Sequence, residues 1–320
     1  MATSPTGTAS SQTGTYLKRD NANAGADPRS GTNGKAAKDD QSRSGNLKLG
    51  TRLVNVTVTV TDAVGKSVDG LSKEQFEVFD NDVRQEIAHF SDEDSPVSLG
   101  IVYDVSASMK SLIEESLAAL KRFVETSHPD DEFFLVSFNN RVIIAEDFTT
   151  GDRLIERLAP VGPRGTTALF DATTVAIEKL KHGRYPKKAL LIISDGEDNT
   201  SRTTYNQLRE RVRESDVVIY AIGLAGAKSG IFPSYGGLVL DEITRLGGGR
   251  AFFLGSKEDE LLEICARIAL DLRHQYSLGF YPTDTSARTE WRSIKVRASP
   301  PKSTGKFKLS YKKKYASFER

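Results

Sequence analysis

The 320-residue chain has a single cysteine, Cys265, so no intramolecular disulfide can form, and an oxidising compartment would leave no mark on it. Its four histidines, His89, His128, His182 and His274, are scattered without the spacing of a zinc site. Neither sign of charge prevails: Lys plus Arg is 44, Asp plus Glu is 43, and the formal net charge is +1. This balance argues against a dedicated nucleic-acid binder, which carries a clear basic excess. No apolar run approaches the roughly 20 residues that a membrane-spanning helix needs. The opening MATSPTGTASSQTG has no basic segment followed by an apolar one and does not read as a signal peptide. There is no G-x-S-x-G nucleophile elbow and no P-loop. Gly247-Gly248-Gly249-Arg250 lacks the spacing of a dinucleotide fingerprint and reads as a helix stop.

What is present divides the chain into four stretches. Residues 1–48 are rich in Ser, Thr, Gly, Ala, Asn and Asp, and cannot bury enough apolar surface to offset chain entropy; a disordered tail is expected. Residues 49–94 are β-rich. Val54 to Val60 alternates β-branched apolar and polar residues, as a half-buried strand does. Phe76 to Phe79 is a second strand, Asp80-Asn81-Asp82 a tight turn, and Val83 to Ile87 its hairpin partner. Three further strands, Gln275–Tyr281, Trp291–Ala298 and Phe307–Lys313, lie in residues 275–320. The expectation is a small β-sandwich built from both ends of the chain.

Residues 95–274 have a different rhythm. The near-continuous apolar runs 99–103, 133–138, 189–193 and 217–222 belong to strands covered on both faces. Helical patterns lie between and after them, at 111–126, 168–181, 204–214, 238–246 and 257–273, with a last strand at 251–254. In the first helix Leu112, Leu117, Leu120 and Val124 form the predicted apolar face, flanked by Ile113 and Phe123. Alternation of this kind predicts a doubly wound, mostly parallel α/β sheet flanked by helices, inserted into the sandwich. Ligands in such sheets sit at the carboxyl ends of the strands.

There the first strand ends in Asp104-Val105-Ser106-Ala107-Ser108, an Asp with hydroxyls two and four residues on, just before a helix. Such a string alone also fits a helix cap. A second strand ends in Ser194-Asp195-Gly196-Glu197-Asp198, and the loop Gly162-Pro163-Arg164-Gly165-Thr166-Thr167 leads into another helix. Three loops thus offer oxygen donors at one sheet edge. Hard donors of this kind suit Mg²⁺, with Mn²⁺ or Ca²⁺ as substitutes.

The three pieces, in this order and spacing, resemble the metal-ion-dependent adhesion site of von Willebrand factor A domains, over about residues 95–274. The resemblance implies that Ser106, Ser108 and Thr167 touch a divalent ion, while Asp104 and Asp195 act directly or through water. Thr167 fits the family spacing to the following helix better than Thr166. Gly70-Leu71-Ser72-Lys73-Glu74-Gln75-Phe76-Glu77-Val78-Phe79-Asp80 and Tyr276-Ser277-Leu278-Gly279-Phe280-Tyr281-Pro282 are similar to the flanks of a narrower bacterial group, the acidobacterial von Willebrand A-related proteins. That group implies export.

The function expected is non-enzymatic: a divalent-cation-dependent protein-binding or adhesion module whose metal is completed by an Asp or Glu carboxylate of a partner protein. The alternative is a metal-assisted phosphoesterase using Asp104, for which Lys110 and Lys188 are loose phosphate-binding candidates. Glu197 and Asp198 read as a solvated acidic loop, Lys312-Lys313-Lys314 as a charged strand edge or an acidic-surface contact, and Cys265 as core.

Overall fold

The computed structural model describes residues 53–158, 162–224, 234–254, 260–284, 290–301 and 305–317. The tail expected at 1–48 lies outside them. Strand β1 (Val54–Asp62) is followed by β2 (Phe76–Asp80), β3 (Val83–Gln85) and β4 (Ile87–Ser91). Asn81 and Asp82 both have positive φ, 45° and 63°, which is the backbone of a two-residue hairpin turn whose twist matches the flanking strands. The expected partner strand over 83–87 is interrupted. Residues 83–85 pair with β2, and after Glu86 the chain changes sheet, so that β4 pairs with a strand from the far end of the chain.

The middle of the chain begins with β5 (Ser98–Asp104), α1 (Ile113–Thr126) and β6 (Glu132–Phe138). It continues with β7 (Val142–Thr150), α2 (Gly151–Arg157), α3 (Leu169–Leu180) and β8 (Lys188–Ser194). Then come α4 (Tyr205–Glu214), β9 (Val218–Gly223), α5 (Tyr235–Leu246), β10 (Ala251–Phe253) and α6 (Glu260–Arg273). The six strands form one sheet in the order β10-β9-β8-β5-β6-β7, parallel except for β7. Odd residues of β5 (Leu99, Ile101, Tyr103) pack into a core with α1 and α6; Val102 belongs to the opposite core, with α3 and α5. Burial on both faces is why these strands read as unbroken apolar runs.

On α1 the buried residues are Ile113, Ser116, Ala119, Leu120, Phe123 and Val124, so Leu120 and Val124 face inward as expected, whereas Leu112 and Leu117 are only partly buried. The helix is rotated from its expected face because it packs beside α6. The loop before it closes as a 3₁₀ turn over Ala107–Ser111.

The chain ends in β11 (Tyr276–Phe280), β12 (Glu290–Ala298), β13 (Phe307–Tyr311) and β14 (Lys314–Ser317). Two four-stranded sheets result, β13-β1-β11-β4 and β14-β12-β2-β3. Val56, Val58, Val60, Phe76, Val78, Leu278, Phe280, Ile294 and Val296 fill the space between them. The doubly wound domain is therefore inserted into a small sandwich made by the two ends. Thr59 and Thr61 are buried too, on the other face of β1, where the Thr59 hydroxyl lies 3.4 Å from that of Tyr220 in β9. Among the described residues no helix is long and apolar enough to cross a membrane.

Candidate metal centre

β5 lies between β6 and β8, and the chain leaves it first to one side and later to the other. The crevice at this reversal faces the carboxyl ends of β5 and β8, where Asp104 and Ser194 stand as last residues. Asp104 is fully buried. One carboxylate oxygen accepts the Ser106 amide at 2.8 Å and the other accepts the Ser194 hydroxyl at 2.7 Å. Ser194 Oγ accepts in turn from the Gly196 amide at 3.0 Å, so it fixes both Asp104 and the loop that carries Asp195. Asp195 is half-buried and accepts the Glu197 amide at 3.1 Å.

The hydroxyls of Ser106 and Ser108 are 3.0 Å apart; the first is buried and the second exposed. The threonine loop is tied to the same place through its backbone. The Ala107 amide donates to the Gly165 carbonyl at 3.2 Å and the Arg164 amide to the Val105 carbonyl at 3.0 Å. Thr167 is buried, its amide donating to Asn199 Oδ1 at 2.9 Å; Thr166 is exposed, its hydroxyl accepting from that of Thr200 at 3.0 Å. The hydrogen bonds thus tie together the loops bearing Asp104, Ser106, Ser108, Thr167 and Asp195; Asp104, Ser106 and Thr167 are buried, Asp195 is half-buried and Ser108 exposed.

Burial pushes the Asp104 carboxyl up to about 6; the Ser106 and Ser194 hydrogen bonds oppose this, and the charge of Asp195 adds to it. Among the described residues no Lys or Arg pairs with Asp104. No three His, Cys, Asp or Glu side chains converge among those residues either. Any ion here would depend on two carboxylates supplemented by hydroxyls. That donor set, hard and rich in neutral oxygens, is of the kind that suits a hard divalent cation.

Several supporting residues escaped sequence reasoning. Asp198 is not a solvated acid: its carboxylate accepts the Phe170 amide at 2.9 Å and the Ser201 hydroxyl at 2.6 Å. Ser201 Oγ accepts the Asp171 amide, so the loop after β8 caps the amino end of α3, whose own cap residue is Ala168. Gly196 has φ +82°, and a Cβ on it would lie 2.3 Å from the Gly236 carbonyl oxygen. A Cβ on Gly236 would lie 2.6 Å from the Asp195 carbonyl oxygen, so α5 starts at Tyr235 with its backbone against the Asp195 loop. The only sequence signal was the Gly236-Gly237 pair, which looks like a helix breaker. Lys188, one phosphate-binding candidate, starts β8 at the opposite end of the sheet and donates to the Leu180 carbonyl; Lys110 is exposed in the 3₁₀ turn. Cys265 is wholly buried in the core, and Gly247 to Gly249 close α5 as expected.

The solved structures similar in shape to this chain include a von Willebrand factor type A protein from Catenulispora acidiphila (9% identity, TM-score 0.47, covering 84% of this chain and 74% of that one). An aerotolerance-related membrane protein from Bacteroides fragilis aligns at 16% identity and TM-score 0.43, over 55% of this chain and 98% of that one. The PilB minor pilin of Streptococcus sanguinis aligns at 14% identity and TM-score 0.44, over 56% and 61%. No curated protein matches the chain. The model of the von Willebrand factor type A domain matches residues 99–197. That span runs from β5 through the loop after β8 and takes in all five candidate ligands: the chain carries a von Willebrand factor type A domain.

Proposed function

We propose that the chain is a divalent-cation-dependent protein-binding module rather than an enzyme, with Asp104, Ser106, Ser108, Thr167 and Asp195 holding Mg²⁺ and an acidic side chain of a partner protein completing its coordination. One observation carries this reading: three loops bearing hydroxyls and carboxylates are hydrogen-bonded together at the carboxyl ends of β5 and β8, through Ser194 to Asp104 and Ala107 to Gly165. Asp104 and Asp195 supply negative charge, while the hydroxyls of Ser106, Ser108 and Thr167 supply neutral oxygens. A bound ion would supply uncompensated positive charge at the mouth, where a carboxylate from outside could reach it. The phosphoesterase alternative finds no support in the position of Lys188.

The test is a calorimetric Mg²⁺ titration of the wild type against Asp104→Ala, then a pull-down with and without chelator. The expected result is Mg²⁺ binding lost in a variant that still unfolds cooperatively, and partner capture lost in chelator. Unchanged partner capture in chelator would defeat the proposal, and Mg²⁺-dependent phosphatase turnover abolished by Asp104→Asn would replace it with the enzymatic one.

A further inference from the structure

The lysine run at 312–314 finds its setting in the sandwich, away from the proposed metal centre. Lys312 turns inward and donates to the Ser215 carbonyl behind α4. Lys313 and Lys314 stay exposed where β13 passes into β14, and Lys314 lies opposite Ser293 of β12. Along β12 the side chains alternate: Arg292, Ile294 and Val296 are buried, while Trp291, Ser293, Lys295 and Arg297 face outward. Strand geometry puts Lys295 and Arg297 about 6–7 Å apart on that face. In the neighbouring strand Phe79 is opposite Lys295, its ring covered by the Arg297 guanidinium at 4.9 Å, and Arg84 of β3 is opposite Phe79. Among the described residues, the acids of β2 and its hairpin that face this side are Glu77, 3.2 Å from Arg84, and Asp82, 3.9 Å from Lys295. Exposed cations therefore outnumber carboxylates on a chain whose overall charge is only +1.

We propose that this outer face of the β14-β12-β2-β3 sheet binds an acidic polysaccharide. An open sheet face accommodates an extended polymer better than a compact ligand. Lysine and arginine side chains standing on alternate residues can meet successive carboxylates or sulfates, arginine in a two-pronged fashion. Trp291, opposite Ala316 of β14 and 41% exposed, presents an indole that the apolar C–H side of a sugar ring packs against. Single-stranded nucleic acid is the competing polyanion, but it binds through a series of open aromatic faces on which bases stack. Here Arg297 covers Phe79, which leaves Trp291 as the one open ring on this face among the described residues. The site shares no residue with the loops around Asp104, so it is independent of any ion there.

The experiment is native gel electrophoresis of the full chain through gels containing polygalacturonate, neutral dextran or no polymer, alongside a titration with fluorescent oligo-dT. Retardation by polygalacturonate alone is expected, weakened by salt and unaffected by chelator. Lys295→Glu with Lys314→Glu should weaken it at least tenfold, and Trp291→Ala several-fold, with wild-type melting temperatures throughout. Three results would overturn the proposal: no retardation by polygalacturonate, variants of normal melting temperature that bind like the wild type, or tighter binding to oligo-dT than to polygalacturonate.

Discussion

At the scale of single residues, buried polar groups carry the arguments that can be tested most sharply. Ser194 holds Asp104 with its hydroxyl and the Gly196 amide with its lone pair. Ser194→Ala should leave the fold intact and lower Mg²⁺ affinity by about 10–100-fold, as for other residues that orient a ligand from behind; calorimetric titration measures it, and wild-type affinity would remove Ser194 from the site. In the sandwich, Arg292 reaches the fully buried Asp80 with two nitrogens, one at 2.8 Å, and Tyr315 adds a hydrogen bond at 3.1 Å. Asp80→Ala leaves the buried Arg292 guanidinium with only the exposed Asp284 as a charged partner, at 3.0 Å, and should cost about 3–5 kcal/mol in urea unfolding. Replacing both partners with apolar residues should cost far less.

Asp131 supplies a pH dependence. It is buried, accepts the Val97 and His128 amides, and burial pushes its carboxyl up to about 6 from an ordinary value of 3.8. Between those two values the folded chain holds the proton more tightly than the unfolded chain does. This contribution to stability is therefore full below about pH 4 and is lost as pH rises through 6. Relative to Asp131→Asn, the wild type should lose up to about 3 kcal/mol between pH 4 and pH 7. Parallel stability curves for the two proteins would show that Asp131 does not titrate in this window.

At the scale of elements, close backbone contact places the loops. Gly236→Ala pushes a methyl group into the Asp195 carbonyl, 2.6 Å away, and must move either α5 or the loop. Mg²⁺ affinity should fall at least tenfold. Gly70→Ala is the control: φ is +70° there with nothing within 4 Å, so it costs about 1 kcal/mol of backbone strain and leaves the metal reading untouched. Equal Mg²⁺ affinities in the two variants would contradict this placement of Asp195.

Most elements were legible in the sequence because each carries its own period. The apolar runs of β5, β6, β8 and β9 stand out since two layers of helices cover them. β7 did not stand out: it is an edge strand with Ile143 and Ile144 exposed, and its pairing with β6 is irregular. The break at Glu86 was equally hidden, since Val83 to Ile87 has strand character throughout and only packing decides that its two halves join different sheets. The rotation of α1 has the same origin, because several apolar residues could face inward and the neighbour α6 selects among them.

At the scale of the molecule, the sandwich and the inserted domain share a polar seam. Asp271 of α6 pairs with Arg250 and accepts the Ser67 hydroxyl at 2.6 Å, and Thr59 meets Tyr220 across the same boundary. Only His274 and Gln275 separate α6 from β11. Residues 48–320 accordingly form one compact unit. A single calorimetric transition is expected, with equal calorimetric and van't Hoff enthalpies. Asp271→Ala should lower its midpoint, and two resolved transitions in the wild type would refute the coupling.

The residues of the candidate metal centre illustrate what each level decides. The sequence by itself determined the doubly wound domain, the split sandwich and the three oxygen-bearing loops, because hydrophobic period and strand-end residues are local properties. The resemblance of their arrangement to the adhesion site of von Willebrand factor A domains also pointed to Asp104, Ser106, Ser108, Thr167 and Asp195. Only the tertiary structure decided that Ser194 braces Asp104, that Asp198 caps α3 and that Gly236 seats the Asp195 loop. Those roles join segments 28 to 90 residues apart in sequence. No period or spacing encodes such a pairing, because it exists only once the chain has closed on itself.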